Sequence, residues 1–270
     1  MSVPEKFFSP EFLSAAEGAV RQAGIFISEE RRRFKPEDIE FKGHSDLVSY
    51  VDRNAEDMLK KSLMELTPDC GFINEESGVA GGNRPSVWII DPLDGTTNFV
   101  HDVPFYAVSV ALRYERRTVL GWIYDVPRGD MFFAAWGRGA FLNGSPIRVG
   151  AARSLSEAVV ATGIPFRYFD RAEQYLSLMR DVMTQCRGLR RLGSAALDLA
   201  YTAAGRFDGF WESHLSPWDV AAGALIVQEA GGVVTDYDGG DDFLFGRNIV
   251  AANRQVHPQM MALIDKHRPG

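Results

Sequence analysis

Val87-Trp88-Ile89-Ile90-Asp91-Pro92-Leu93-Asp94-Gly95-Thr96-Thr97-Asn98-Phe99 is the stretch on which the reading of this chain turns. Its first four residues are apolar, of the β-branched and aromatic kinds that fill a buried strand. The strand delivers Asp91 at its end, where Pro92, lacking an N–H, interrupts the ladder. Asp94-Gly95-Thr96-Thr97 then reads as a tight turn or the opening of a helix, with backbone N–H groups free of partners. Two carboxylates three residues apart therefore stand beside a glycine and two hydroxyls where a strand ends. Hard cations take oxygen ligands and phosphate takes unpaired N–H groups. On its own, the string is equally an ordinary turn with Asp94 as a helix cap.

Outward from this strand, apolar spacing predicts helices over Glu11 to Arg33 and Asp46 to Leu66, separated by a charged loop from Phe34 to Ser45. Asp46 is a candidate cap of the second helix. Short strands are expected at Gly71 to Asn74 and Val87 to Asp91, then longer ones at Phe105 to Tyr114, Thr118 to Tyr124 and Met131 to Ala135. Asn143-Gly144 marks a tight turn. The second half predicts strands near Ala158 to Ala161, Gly209 to Trp211, Val233 to Thr235 and Asn248 to Ala251. Its helices are expected at Ala172 to Cys186, Gly193 to Ala204, Pro217 to Ala230 and His257 to Lys266, with Gly231-Gly232 as a C-cap. No repeat or low-complexity tract interrupts the 270 residues, which read as one layered α/β unit without a clean internal boundary.

Three further segments suit the chemistry of the first. Phe72-Ile73-Asn74-Glu75-Glu76 places a carboxylate pair just past a strand, and only one of the two can point back toward Asp91, because neighbouring side chains diverge in an extended chain. Ser216-Pro217-Trp218-Asp219 is fully explained as a helix start, with Ser at the cap and Asp three residues on. A carboxylate held in that first turn is also rigid enough to face a metal. Asp52, beside the core-facing Val51, is either surface or a supporting group. Asp236-Tyr237-Asp238-Gly239-Gly240-Asp241-Asp242 resembles part of a calcium loop but lacks its terminal glutamate, so it reads as a turn.

Composition narrows the field. A net charge of −7 opposes nonspecific nucleic-acid binding as the main activity. No apolar run approaches the ~18 residues of a membrane span, and no secretory leader is visible at Met1 to Pro10. Two distant cysteines, Cys70 and Cys186, match no metal or redox spacing, which suits a reduced cytoplasmic setting. The five histidines show no ligand spacing, and both a G-x-S-x-G elbow and a Walker loop are missing. These absences leave acidic, all-oxygen metal chemistry.

Taken together, Asp46-Leu47-Val48 with Asp52, Glu75-Glu76, Trp88 through Phe99, and Trp218-Asp219-Val220-Ala221 with Glu229-Ala230-Gly231-Gly232 resemble the inositol monophosphatase family of magnesium-dependent, lithium-sensitive phosphatases. The resemblance implies an α-β-α-β-α five-layered sandwich, assembled as a homodimer. It implies metal ligands at Glu75, Asp91, the Leu93 carbonyl, Asp94 and Asp219, with two or three Mg²⁺ per site. Gly95 and Thr96 match N–H donors to phosphate, and Asp52 with Thr96 matches the pair that orients the attacking water; Glu75 also counts among the catalytic groups. Glu212 aligns with a contact to a polyol hydroxyl, Ala196 with the lining of the same pocket, and Asp219 serves metal and substrate alike. Lys42 lies in the loop that helps to organise a third ion.

The expected function is therefore hydrolysis of a phosphate monoester, inositol 1-monophosphate first, by direct attack of metal-activated water, as expected of carboxylate-held metal pairs. Fructose 1,6-bisphosphate, histidinol phosphate and nucleotide 3′-phosphates stay open as substrates. A regulatory or binding protein that keeps the fold without catalysis is the alternative from another class. The expected partner is a small phosphorylated polyol, with no direct nucleic-acid contact and no membrane.

Overall fold

The computed structural model describes residues 3–35, 39–43, 46–164 and 172–267, of which 39–43 and 46–49 are described for the backbone alone. Helix α1 (Pro10–Arg31) starts at Ser9, whose Oγ accepts the Phe12 N–H, and has proline in its first turn. Strands β1 (Ile39–Gly43) and β2 (Asp46–Ser49) pair antiparallel, and α2 (Tyr50–Leu66) follows. The predicted second helix thus loses its first four residues to a strand. Asp46 opens that strand instead of capping α2, and part of the expected loop is its partner. The side chain of Lys42 lies outside the described residues.

An eight-stranded sheet comes next, built from β3 (Gly71–Asn74), β4 (Gly78–Ala80), β5 (Ser86–Asp94), β6 (Ala107–Tyr114), β7 (Arg117–Asp125), β8 (Asp130–Ala135), β9 (Ala140–Leu142) and β10 (Ser145–Pro146), with the short helix α3 (Thr96–Val100) after β5. The spatial order is β10-β9-β8-β7-β6-β5-β3-β4, and β3 runs parallel to β5. Asn143 and Gly144 both take positive φ at the β9–β10 turn, as that dipeptide requires. The second sheet comprises β11 (Val159–Thr162), β12 (Gly188–Arg190), β13 (Gly209–Ser213), β14 (Val233–Thr235) and β15 (Asn248–Ala252) in the order β12-β11-β13-β15-β14. Helices α4 (Ala172–Gln185), α5 (Ala195–Ala203), α6 (Pro217–Glu229) and α7 (His257–Lys266) flank it.

Side-chain alternation builds the layers. Trp88 and Ile90 of β5 pack with Val20, Ile27, Leu59 and Leu63 of α1 and α2, whereas Val87 and Ile89 face Leu197, Ala222 and Ile226 of α5 and α6. Phe210 and Ala251 cover α5 and α6 from the second sheet; Trp211 and Val250 point away, toward Leu178 of α4 and Met260 of α7. The result is an α-β-α-β-α sandwich. Each fully buried residue such as Trp88 or Phe210 contributes about 1.5–3 kcal/mol, and the largely apolar α5 and α6 are helices buried between two sheets. Among the described residues, no helix is long and apolar enough to cross a membrane.

Candidate functional site

Polar side chains gather where the parallel strands β3 and β5 end and three helices begin. Asn74 pairs with Ile90, so Glu75 leaves β3 beside Asp91 at the end of β5. The ladder from β5 to β6 slips between Asp91 and Asp94, which face Ser109 and Ala107 respectively. Pro92 sits in that bulge, the one place where a missing N–H costs no ladder bond. The bulge sends Asp91 and Asp94 to a common point. Gly95 then turns at φ +90, and a Cβ there would lie 3.0 Å from the Phe105 carbonyl oxygen.

Three carboxylates reach one another. Asp91, Asp94 and Asp219 each offer an oxygen within 4.8 Å of the others. Asp219 stands at the third position of α6, where its Oδ2 accepts the Ser216 N–H at 2.6 Å; the capping box and the cluster use the same carboxylate. Ser109 Oγ donates to the Trp218 carbonyl at 3.2 Å and ties this helix start to β6. Glu75 stands beside Asp91 and is not one of the three acids that meet. Thr96 Oγ1 lies 3.1 Å from Asp52 Oδ1 and 3.0 Å from the Leu93 carbonyl oxygen, so its single proton bridges α2 and the β5 bulge. Asp52 itself is 1% exposed.

Each acid is held by donors. Leu93 N–H donates to Asp91 Oδ1 at 3.0 Å. Asp94 Oδ2 accepts from Ser194 Oγ at 2.6 Å and from the Ala196 N–H at 2.7 Å. The Gly95 N–H also turns toward Asp94, and Ala196 is fully buried. In this arrangement Gly95 and Ala196, two of the five residues expected at the substrate, turn their N–H groups to Asp94. Burial, followed by mutual repulsion with neighbouring acids, pushes Glu75 and Asp91 well above the carboxylate range. Burial raises Asp94 to about 6 against the pull of Ser194, Ala196, Gly95 and Arg191. Glu212 is raised to about 8 by burial and then Asp219, with Arg191 opposing. It lies against the backbone of Gly163, where a Cβ would sit 1.8 Å from Oε1.

Supporting residues that local patterning misses complete the site. Glu56, 2% exposed and one helical turn after Asp52, accepts the Glu76 N–H at 2.8 Å and the Ser77 N–H at 3.0 Å, fixing the turn that carries Glu75. Asn98 donates to the carbonyls of Phe105 and Leu192 at 2.7 and 2.8 Å, clamping α3 to the segment before α5. The Asp236 loop is the expected turn: its carboxylate accepts the N–H groups of Asp238, Gly240 and Asp242. Cys70 and Cys186 are both free thiols.

The donor set suits a hard divalent cation. It offers carboxylate oxygens and the Leu93 carbonyl, with neither thiol nor imidazole in the cluster of three acids. Two like charges at 4 Å repel by roughly 4 kcal/mol at an effective dielectric near 20. The cluster is therefore comfortable only when protonated or when cations neutralise it.

Acidic groups converge on strand ends inside five alternating layers, and inositol monophosphatase structures share this layered fold. The chain belongs to the inositol monophosphatase family, whose model matches residues 10–268. It is 43% identical over 262 residues to a Pseudomonas aeruginosa protein named Nus factor SuhB, covering 95% of this chain and 97% of that one. An inositol-1-monophosphatase of Mesorhizobium japonicum is 42% identical over 249 residues, covering 92% and 94%. The crystal structure of the extragenic suppressor protein suhB from Bartonella henselae superimposes with a TM-score of 0.88 at 42% identity, over 94% of this chain and 98% of that chain. Members of the family are generally magnesium-dependent.

Proposed function

We propose that this protein hydrolyses the phosphate monoester of a small polyol, inositol 1-monophosphate first, with Mg²⁺. The convergence of Asp91, Asp94 and Asp219 within 4.8 Å carries this reading. Glu75, Asp91, the Leu93 carbonyl, Asp94 and Asp219 would hold two or three ions. Bound there, the ions supply Lewis acidity toward phosphoryl oxygens and neutralise developing charge. The remaining work belongs to the chain. Asp52 holds the Thr96 hydroxyl, and this pair orients the attacking water; Glu75, beside Asp91 and ionised when the site is loaded, would stand ready to accept a proton. Glu212 meets a hydroxyl of the alcohol. Attack is direct and in line, without a phosphorylated protein. A homodimer, a cytoplasmic setting and a single domain over residues 1–270 belong to the same reading.

The relative named Nus factor SuhB supports a second reading, a regulatory protein that keeps the fold. The complete carboxylate set favours catalysis. Phosphate release from a panel of monoesters separates the two. We expect release from inositol 1-phosphate that requires Mg²⁺ and is suppressed by Li⁺, whereas silence across the panel with Mg²⁺ present selects the regulatory reading.

Glu56 gives a second expected result. Glu56→Ala leaves the N–H groups of Glu76 and Ser77 without their acceptor, so Glu75 loses its fixed approach to Asp91. Removing a partner behind a metal ligand costs about 10–100-fold in metal affinity. The Mg²⁺ concentration for half-maximal phosphate release should rise at least about tenfold, with a smaller change for Glu56→Gln. An unaltered Mg²⁺ requirement in Glu56→Ala would disconnect this turn from the site.

A further inference from the structure

One acid beside the site has no partner to explain it. Asp198 is the fourth residue of α5, set among Ala195, Ala196, Leu197, Leu199 and Ala200, all buried. It is 1% exposed, and Oδ1 finds no hydrogen bond. An unpaired buried acceptor costs about 1–3 kcal/mol, and more when charged, so an apolar residue here would serve the fold better. The charged groups facing Asp198 are Glu212 of β13, Asp94 of β5 and Arg191 from the segment before α5, all of them at the site.

Glu212 is the more exposed of the two acids, which makes Asp198 the inner member of the pair. Neither side chain receives a hydrogen bond from the described residues. Adjacent acids that the fold leaves without donors suit a ligand that brings its own, namely an alcohol with several hydroxyls. We propose that Asp198 is a positioning residue behind Glu212, setting where that carboxylate stands to meet the hydroxyls of a polyol ester, so that discrimination against hydroxyl-poor esters depends on Asp198. This rests on the phosphatase reading above and extends it to substrate choice.

The test uses Asp198→Leu and Asp198→Asn in the full chain, with myo-inositol 1-phosphate and p-nitrophenyl phosphate as substrates. In Asp198→Leu the ratio of kcat/KM for the polyol ester to that for the aryl ester falls about tenfold, chiefly through KM, and Asp198→Asn recovers most of it. The Tm of Asp198→Leu without substrate rises by about 3 °C, because the orphaned acceptor is gone. Equal losses on both esters, an unchanged ratio, or a lowered Tm overturns the proposal and leaves Asp198 a structural group. Should the wild-type chain hydrolyse neither ester, the phosphatase reading fails by itself. Free myo-inositol then decides on Asp198: a thermal shift in the wild type that Asp198→Leu abolishes supports the proposal, and equal shifts or none in either overturn it.

Discussion

Asp94→Asn should slow phosphate release by about a thousandfold or more while leaving the fold intact. The substitution keeps shape and hydrogen bonding: an amide oxygen accepts from Ser194 Oγ and the Ala196 N–H as the carboxylate does, at 2.6 and 2.7 Å in the native chain. What disappears is one negative charge at the meeting point of three acids. A cation held there loses a ligand, and with it several kcal/mol of transition-state stabilisation; about 4 kcal/mol is a thousandfold in rate. Circular dichroism and Tm of the variant should match or exceed those of the wild type, because Asp94 is held against its own burial. Steady-state phosphate release at saturating Mg²⁺ is the measurement. Near-native turnover would remove Asp94 from the list of metal ligands.

The strand that presents Asp91 and the helix start that presents Asp219 are legible because local rules dictate both. An apolar run ending in Asp-Pro stops a ladder, and Ser-Pro-x-Asp opens a helix. The five layers follow from alternation: Val87 and Ile89 serve one face of β5, Trp88 and Ile90 the other. Local pattern misleads between Asp46 and Ser49, where a few apolar residues satisfy helical and strand periods alike, and pairing with Ile39–Gly43 settles the matter. It is silent on Ser194 and Ala196, whose partner Asp94 lies about a hundred residues earlier. Glu56 looks like any polar helix residue until the turn after β3 is placed on it. Asp198 alone left a trace, an acid within an apolar helix.

Chelating divalent cations should lower the Tm, and the loss should widen as pH rises. Asp94 moves from an ordinary 3.8 to about 6 and Glu212 from 4.5 to about 8, with Glu75 and Asp91 shifted the same way. A carboxyl whose folded pKa exceeds its unfolded value binds more protons when folded. Its contribution is complete below the unfolded pKa and is lost as pH climbs through the folded one. For Asp94 that window runs from 3.8 to about 6, and for Glu212 from 4.5 to about 8. The cation-free protein therefore weakens across this range. Mg²⁺ acts in the opposite sense, since its ligands must be deprotonated to bind it. At a hundred times its Kd a ligand adds about 2.7 kcal/mol, or roughly 5–8 °C in a chain of this size. Melting curves in EDTA and in saturating Mg²⁺ should thus nearly coincide at about pH 5 and separate by that amount at about pH 8. Asp94→Asn should show both a smaller Mg²⁺ shift and a smaller fall in EDTA, because the same carboxylate causes the repulsion and the binding. Coincident curves at about pH 8 would mean that these acids hold no cation, and the clustered charge would then need another source of compensation.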